Sequence, residues 1–343
     1  MKLTMRLGPR SYDIILKRGA LGHLNQLANL DRKVLIVTDS GVPAQYAQTV
    51  QAQCGQGIVH TVPQGEASKC LAVYQQLLEV MLKNGFTRSD LVIAVGGGVV
   101  GDLAGFVAAT YMRGVDFINC PTTTLSQIDS SIGGKVAVDL GAAKNIVGAF
   151  WQPRLVLIDP DTLQTLPRRH FVNGLAESIK MSLTSDAGLF ELFEQQNPEE
   201  IIETIIHRSL LIKKQVVEKD ETEQGLRAIL NLGHTLGHGI EAVKGIHGRR
   251  KQGLYHGECV ALGMLPMIED AKLAKRVRAV YRKLGLPARS ACNKEKVWGY
   301  ILHDKKMGQN HITVVKVPAL GCWRLDRLEL CQLQALLFGK EQP

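Results

Sequence analysis

Short apolar runs alternate with helix-length segments through the first half of the chain. Residues 11–16, 33–39, 58–62, 91–95, 117–121 and 155–159 are rich in β-branched and aliphatic side chains. Most end in a polar or glycine-bearing loop, the pattern of strands buried on both faces. Residues 71–85 carry a helical period. Strands separated by helix-length segments predict a parallel sheet covered on both sides. After about residue 165 the pattern changes. Segments 171–194, 198–219, 226–244 and 257–284 read as helices, and Leu286-Pro287 marks a break. Segments 294–306 and 326–338 add helix, with a short strand at 312–317 between them. The expectation is an α/β N-terminal domain over 1–165 and a mostly α-helical domain over 166–343, linked near 159–167.

Composition narrows the classes. A length of 343 residues favours two domains. Aromatics make up 5% of the chain, which argues against a stacking-based nucleic-acid binder. The net charge of +9 is scattered, its densest run being His247-Gly248-Arg249-Arg250-Lys251, and suits either a solvated surface or an anionic small substrate. Seven cysteines without a Cys-x-x-Cys pair read as reduced thiols, mostly small buried apolar residues. No stretch has the roughly 18–20 apolar residues of a membrane span, and the N-terminus lacks a cleavable apolar core. A cytoplasmic protein is expected, with neither nucleic acid nor membrane as partner.

Gly96-Gly97-Gly98-Val99-Val100-Gly101-Asp102 matches G-x-G-x-x-G after a strand and before an expected helix. Glycines there let backbone approach a pyrophosphate, and the helix offers unpaired N–H groups. In a standard Rossmann domain this loop follows the first strand, whereas here it follows a later one and Asp39 ends the earlier one. Asp39 could bind an adenosine ribose, and Pro63-Gln64-Gly65-Glu66-Ala67-Ser68-Lys69 could add contacts. The stretch from Pro121 to Lys135 reads as too polar for core, and Lys135, Lys144 and Asn145 could converge on a phosphate.

Glu177, His234 and His256 each sit in a short polar motif, and one carboxylate with two imidazoles makes an open site for a catalytic divalent metal. His234 and His238 are four apart and share a helical face, so either could bind it. Glu177 and Lys180 also share a face, a spacing that by itself reads as a surface ion pair.

With these motifs assembled, the chain resembles the 3-dehydroquinate synthases of the shikimate pathway, within the sugar-phosphate cyclases. The matching elements include Gly96 to Phe106, Tyr111-Met112-Arg113-Gly114, Pro121-Thr122-Thr123, Asp129 to Lys135, Lys144 to Phe150, Gly174-Leu175-Ala176-Glu177, Gly225-Leu226-Arg227, Asn231-Leu232-Gly233-His234-Thr235, His256-Gly257-Glu258 and Asp304-Lys305-Lys306. They span about residues 11 to 330.

The resemblance implies a Rossmann-like NAD-binding domain and a helical metal- and substrate-binding domain. It implies conversion of 3-deoxy-D-arabino-heptulosonate 7-phosphate to 3-dehydroquinate and phosphate: oxidation at C5 by bound NAD, phosphate elimination, re-reduction, ring opening and aldol closure. Glu177, His234 and His256 are implied ligands of one zinc or cobalt ion. Lys135, Asn145, Lys180 and Asn231 would hold the phosphate, with Arg113 arriving from a neighbouring subunit of a homodimer. Lys213 and Arg227 would face the carboxylate and hydroxyls, joined by Lys305 or Lys306. His238 would shuttle the C5 proton. For NAD the resemblance points to Asp39, Gln64, Gly65, Glu66, Lys69, Gly97, Gly98, Val99, Val100, Gly101, Asp102, Thr122, Thr123, Asp129, Lys135, Lys144, Thr162, Leu163, Gln164 and Thr165.

The chain departs from the family's pattern at Val138-Asp139-Leu140-Gly141-Ala142-Ala143-Lys144, where Asn, Pro and Gly usually precede the lysine. His170 replaces a common acidic residue and Met181 a usual Tyr or His. Rival readings are 2-deoxy-scyllo-inosose or 2-epi-5-epi-valiolone synthases, metal-dependent alcohol or glycerol dehydrogenases, and a non-enzymatic basic binding module.

Overall fold

The computed structural model describes residues 1–141, 143–243, 253–289, 292–304 and 311–338. Lys305, Lys306 and the basic run at 247–251 lie outside them. The chain divides into two compact units, Met1–Phe171 and Val172–Pro343, after Phe171 rather than after 165.

The first unit contains strands β1 (Lys2–Met5), β2 (Tyr12–Leu16), β3 (Lys33–Asp39), β4 (Gln56–Val62), β5 (Leu91–Gly96), β6 (Asp116–Pro121), β7 (Lys135–Leu140), β8 (Ala143–Phe150) and β9 (Leu155–Ile158). Helices α1 (Ala44–Gln51), α2 (Leu71–Lys83) and α3 (Gly98–Thr110) connect them. Seven strands form one sheet in the order β1-β2-β9-β6-β5-β3-β4, parallel throughout except where β1 meets β2. Alternation sends successive side chains to opposite faces. Leu35, Val37, Val92 and Ala94 pack with Leu77, Met81, Leu103 and Val107 from α2 and α3. Val34, Ile36, Ile93 and Val95 pack with Leu21, Leu24, Ala47 and Val50 on the other face.

The chain order reverses between β3 and β5, which are paired neighbours with Val37 opposite Ala94. Such a switch point opens a crevice beyond the carboxyl ends of the strands. Asp39 at the end of β3 and the glycine loop after β5 therefore lie side by side, although they are far apart in sequence.

Two parts of this unit differ from expectation. The polar stretch after β6 is largely buried: Thr122, Thr124, Ser126, Gln127 and Ser131 are all inside. The Gln127 amide nitrogen, with two hydrogens to donate, lies 3.0 Å from each of the Pro121 carbonyl, the Asp159 carbonyl and Thr162 Oγ1, whereas Thr124 Oγ1 and Ser131 Oγ have no hydrogen-bond partner among the described residues. Beyond it, β7 and β8 form an antiparallel hairpin, with Val136 and Val138 packed into the core on the α2 and α3 face.

The second unit holds most of α4 (Arg168–Ser185), with α5 (Ala187–Gln195), α6 (Ile202–Lys219), α7 (His234–Ala242), α8 (His256–Met264), α9 (Ala271–Leu284), α10 (Lys294–Asp304) and α11 (Leu330–Phe338). The hairpin β10 (His311–Lys316) with β11 (Arg324–Glu329) completes it. Several long expected helices are divided. Asp186 breaks 171–194 and caps α5 by accepting the Leu189 N–H. Gly233, at φ +78°, separates a 3-10 turn (Leu226–Asn231) from α7. Pro266 interrupts 257–284, and Asp270 restarts the helix by accepting the Lys272 N–H at 2.8 Å. The start of 326–338 is strand, because it pairs with β10.

All seven cysteines are free thiols, as expected, but they are not mostly buried: Cys120 and Cys259 are, whereas Cys322 and Cys331 are exposed. Among the described residues, no helix is long and apolar enough to cross a membrane.

Candidate active site

In the first unit the expected nucleotide contacts gather at the carboxyl ends of the parallel strands. None of the glycines at 96, 97, 98 and 101 has positive φ. Their requirement is closeness. A Cβ at Gly97 would lie 3.0 Å from Thr123 Cγ2, and one at Gly98 would lie 3.1 Å from Ser130 Oγ. Val99, Val100, Gly101 and Asp102 follow in the first turns of α3, and Thr122 donates its N–H to the Gly96 carbonyl at 2.9 Å. Asp39 accepts the Gly41 N–H at 2.7 Å, and burial raises its carboxyl above the ordinary range. Gln64 and Gly65 end the neighbouring loop, where Gln64 donates its N–H to Ser40 Oγ.

Lys69 is buried, its ammonium paired with Asp102 at 2.5 Å and hydrogen-bonded to the Asn145 carboxamide. Lys144 reaches Glu66 at 3.7 Å. Asp129 lies in a short π-helical turn (Ser126–Ser130). Thr162, Leu163, Gln164 and Thr165 form the 3-10 turn after β9, with Tyr46 hydrogen-bonded to Thr165 at 2.9 Å. Lys135 opens β7 on its exposed side. Arg113 sits beyond α3, at the opposite end of that helix from Gly98.

Asp139, the departure in the hairpin, accepts the Asn145 N–H at 2.8 Å and donates its own N–H to the Lys69 carbonyl at 2.8 Å. Asn145 stands at φ +56°, and its carboxamide meets Lys69. His170 is close enough to Asp39 to favour its ionised form, and Met181 is plain core.

In the second unit α4, α7 and α8 bring three expected ligands together. Glu177 is 0% exposed. His234 Nε2 and His256 Nε2 approach its Oε1 to 3.7 and 3.4 Å, and Lys180 pairs with its Oε2. The expected surface ion pair is thus fully buried. The His238 ring lies 5.3 Å from that of His234 and 5.9 Å from that of His256, centroid to centroid. Lys213 and Arg227 are both buried, Arg227 donating to the Glu221 carbonyl. Asn231 donates to Glu223 at 2.8 Å.

Backbone devices set this geometry. Asn173, one turn before Glu177, accepts the Gly257 N–H at 2.7 Å and so ties α4 to the start of α8. Glu258 accepts the Tyr255 N–H at 2.9 Å in a capping box that orients His256. Helices α7 and α8 approach closely through glycine: a Cβ at Gly263 would lie 2.1 Å from the Gly233 carbonyl oxygen. Sequence reasoning missed Asn173 and Glu241. Their signal was spacing, since Asn173 is four before Glu177 and Glu241 seven after His234, each on its ligand's helical face.

Models described as 3-dehydroquinate synthase N-terminal and C-terminal match residues 59–173 and 174–307. The chain belongs to the 3-dehydroquinate synthase family. It is 43% identical over 342 residues to a 3-dehydroquinate synthase of Streptococcus suis strain 05ZYH33, covering 94% of this chain and 95% of the relative. A crystal structure of 2-deoxy-scyllo-inosose synthase with carbaglucose-6-phosphate, NAD+ and Co2+ is similar at TM-score 0.87 and 23% identity, over 98% of this chain and 99% of the other. A 2-epi-5-epi-valiolone synthase from Streptomyces hygroscopicus subsp. jinggangensis 5008 with NAD+ and Zn2+ bound gives 0.83 and 26%, over 96% of each.

The residues of this family member fit a divalent cation. Ligand atoms about 2.1 Å from a tetrahedral zinc lie about 3.4 Å apart, close to the 3.7 and 3.4 Å found around Glu177 Oε1. Neither Glu177 oxygen receives a well-directed hydrogen bond, although both are buried. Burial opposes the Glu177 charge, but the Lys180 ammonium and the imidazoles hold the carboxyl well below the ordinary range. Burial and Lys180 push His234 down to about 3. Burial also opposes charge on His256, but Glu177 and Glu241 outweigh it and raise His256 to about 10.

Near neutral pH, His256 therefore carries a proton and His234 does not. Zinc loading should release about one proton per ion, from His256, and affinity should rise with pH up to that group's value of about 10. Calorimetry in buffers of different ionisation enthalpy counts the protons; a count of zero contradicts the assignment. Gly263→Ala should cost about 1–3 kcal/mol in urea unfolding, because its Cβ collides with backbone; wild-type stability would show that the contact relaxes freely.

Proposed function

We infer that this chain is a 3-dehydroquinate synthase, a carbon–oxygen lyase that converts 3-deoxy-D-arabino-heptulosonate 7-phosphate to 3-dehydroquinate and phosphate. The observation that carries this is the buried Glu177 carboxylate facing His234 and His256, with Lys180 beside it. When bound, NAD+ supplies reversible oxidation at C5, and a divalent cation held by Glu177, His234 and His256 polarises the neighbouring oxygens.

The remaining chemistry belongs to positioned side chains. The substrate carries a phosphate and a carboxylate, and the basic groups divide between them. Lys135, Asn145, Lys180 and Asn231 bind the phosphate, so Asn145 exchanges its bond with Lys69 and Asn231 its bond with Glu223 for phosphate oxygens. Lys213 and Arg227 hold the carboxylate end, with Lys305 or Lys306 as a further contact. Burial of Lys213 and Arg227 supports this assignment, because charge-assisted bonds strengthen away from water. His238 takes and returns the C5 hydroxyl proton, supported by its ring lying against those of both ligand histidines.

The nucleotide occupies the carboxyl ends of β3 to β6. Asp39 contacts the ribose, Gly97 to Asp102 the pyrophosphate, and Thr122, Thr123, Asp129 and Lys144 the remainder. We also propose a cytoplasmic homodimer in which Arg113 serves the neighbouring subunit. Its place beyond the far end of α3 from the glycine loop supports that role.

Incubation of the purified chain with the heptulosonate phosphate and catalytic NAD+ should release phosphate without net NADH. Chelation should abolish release, and zinc or cobalt should restore it. His234→Ala should lose more than the about 10–100-fold typical of outer-shell changes; full turnover would remove the metal assignment. Accumulating NADH would instead indicate a polyol dehydrogenase. Lys180→Ala should raise KM more than it lowers kcat; unchanged kinetics would refute its phosphate role.

A further inference from the structure

The rings of His234 and His256 each have two nitrogens, and the outer one decides what the inner one can do. A ligand imidazole presents a lone pair to its cation only when the other nitrogen keeps the proton. The Nδ1 of His234 faces the Leu232 carbonyl at 3.3 Å, two residues back along its own chain. The Nδ1 of His256 faces a different kind of group, the Glu241 carboxylate, with Oε2 at 3.1 Å. We propose that Glu241 is a positioning residue for the metal: it accepts the Nδ1–H of His256 and so fixes the tautomer whose Nε2 faces Glu177.

The placement is economical. Glu241 is on α7, seven residues after His234, so the helix that supplies one ligand also steers the other. Two bonds then hold the His256 region from different directions: Asn173 holds the Gly257 backbone, and Glu241 holds the ring. A carboxylate acceptor also makes the imidazole a stronger electron donor than a carbonyl does. His256 is therefore the more strongly donating of the two imidazoles. Glu241 itself touches neither substrate nor cation in this role. This inference rests on the metal reading above.

The same side chains also allow an opposing arrangement. His238, Glu241 and His256 have ligand-type atoms within 4.8 Å of one another, and they could hold a second ion through Nδ1 of His256. That would make Glu241 a ligand, and it is an outcome the test separates.

The test is zinc affinity of the metal-stripped full chain, measured by competition with a chromophoric chelator. Glu241→Ala should weaken binding by about 10- to 100-fold. Glu241→Gln should fall between, because an amide oxygen still accepts the Nδ1–H but carries no charge. The visible spectrum of the cobalt-loaded Glu241→Ala chain should shift, since the ligand field at His256 changes. Circular dichroism of the metal-free variants checks folding, and the Gln variant alone suffices if the Ala variant fails to fold. Wild-type affinity in both variants overturns the inference while leaving the metal site intact. Two zinc ions in the wild type and one in Glu241→Ala also overturns it, in favour of direct ligation. No zinc binding by the wild type overturns the metal reading and this inference together.

Discussion

A carboxylate with no exposed surface organises the second unit. Placing Glu177 away from water would cost several kcal/mol if nothing answered its charge, and such a group would normally stay protonated. Lys180, one turn later on α4, supplies a cation, and two imidazoles crowd the other oxygen. Charge keeps Glu177 ionised, yet neither oxygen is satisfied by a directed hydrogen bond. A structural ion pair normally satisfies its lone pairs as well as its charge. Glu177 answers only the charge, which is the profile of a group that ligates a cation.

That carboxylate is useful only if the imidazoles meet it. They come from α7 and α8, and the two helices can approach closely because Gly263 has no side chain against the Gly233 carbonyl. The first turn of α8 is held by Asn173 and by the Glu258 capping box. Each of these acts on backbone, through a hydrogen bond accepted from an N–H or a steric allowance.

The first unit uses a different device. Its glycine loop is glycine-rich because side chains of the following segment press against it, and its backbone there is ordinary in conformation. The reversal of strand order between β3 and β5 puts Asp39 next to that loop. The hairpin of β7 and β8 carries Lys144 and Asn145, and Asp139 shapes its turn through the Asn145 N–H. The acidic residue that departs from the family's pattern thus accepts a backbone donor and holds the asparagine in place.

Residue pattern alone made the parallel sheet and the helical second half legible and offered Glu177, His234, His238 and His256 as candidate ligands, because each is a local signal: a short apolar run, period 3.6, or a short polar motif in an apolar setting. Resemblance in motif added the family. The divided helices were partly legible, since Asp186, Pro266 and Gly233 are ordinary punctuation, but helical period runs through them without interruption. The hairpin was hidden because the core that Val136 and Val138 pack against, on α2 and α3, is set by contacts distant in sequence. Buried Gln127 was misread for a related cause: a polar residue looks exposed until the carbonyls that its amide meets are located. The chain's own order of residues determined which groups could do chemistry and on which helical face each stood. Only the tertiary structure decided that Lys180 pairs with Glu177 inside the protein, that Asp139 serves a backbone amide, and that Glu241 meets the outer nitrogen of His256, because hydrogen bonding and charge compensation depend on distances that no local pattern encodes.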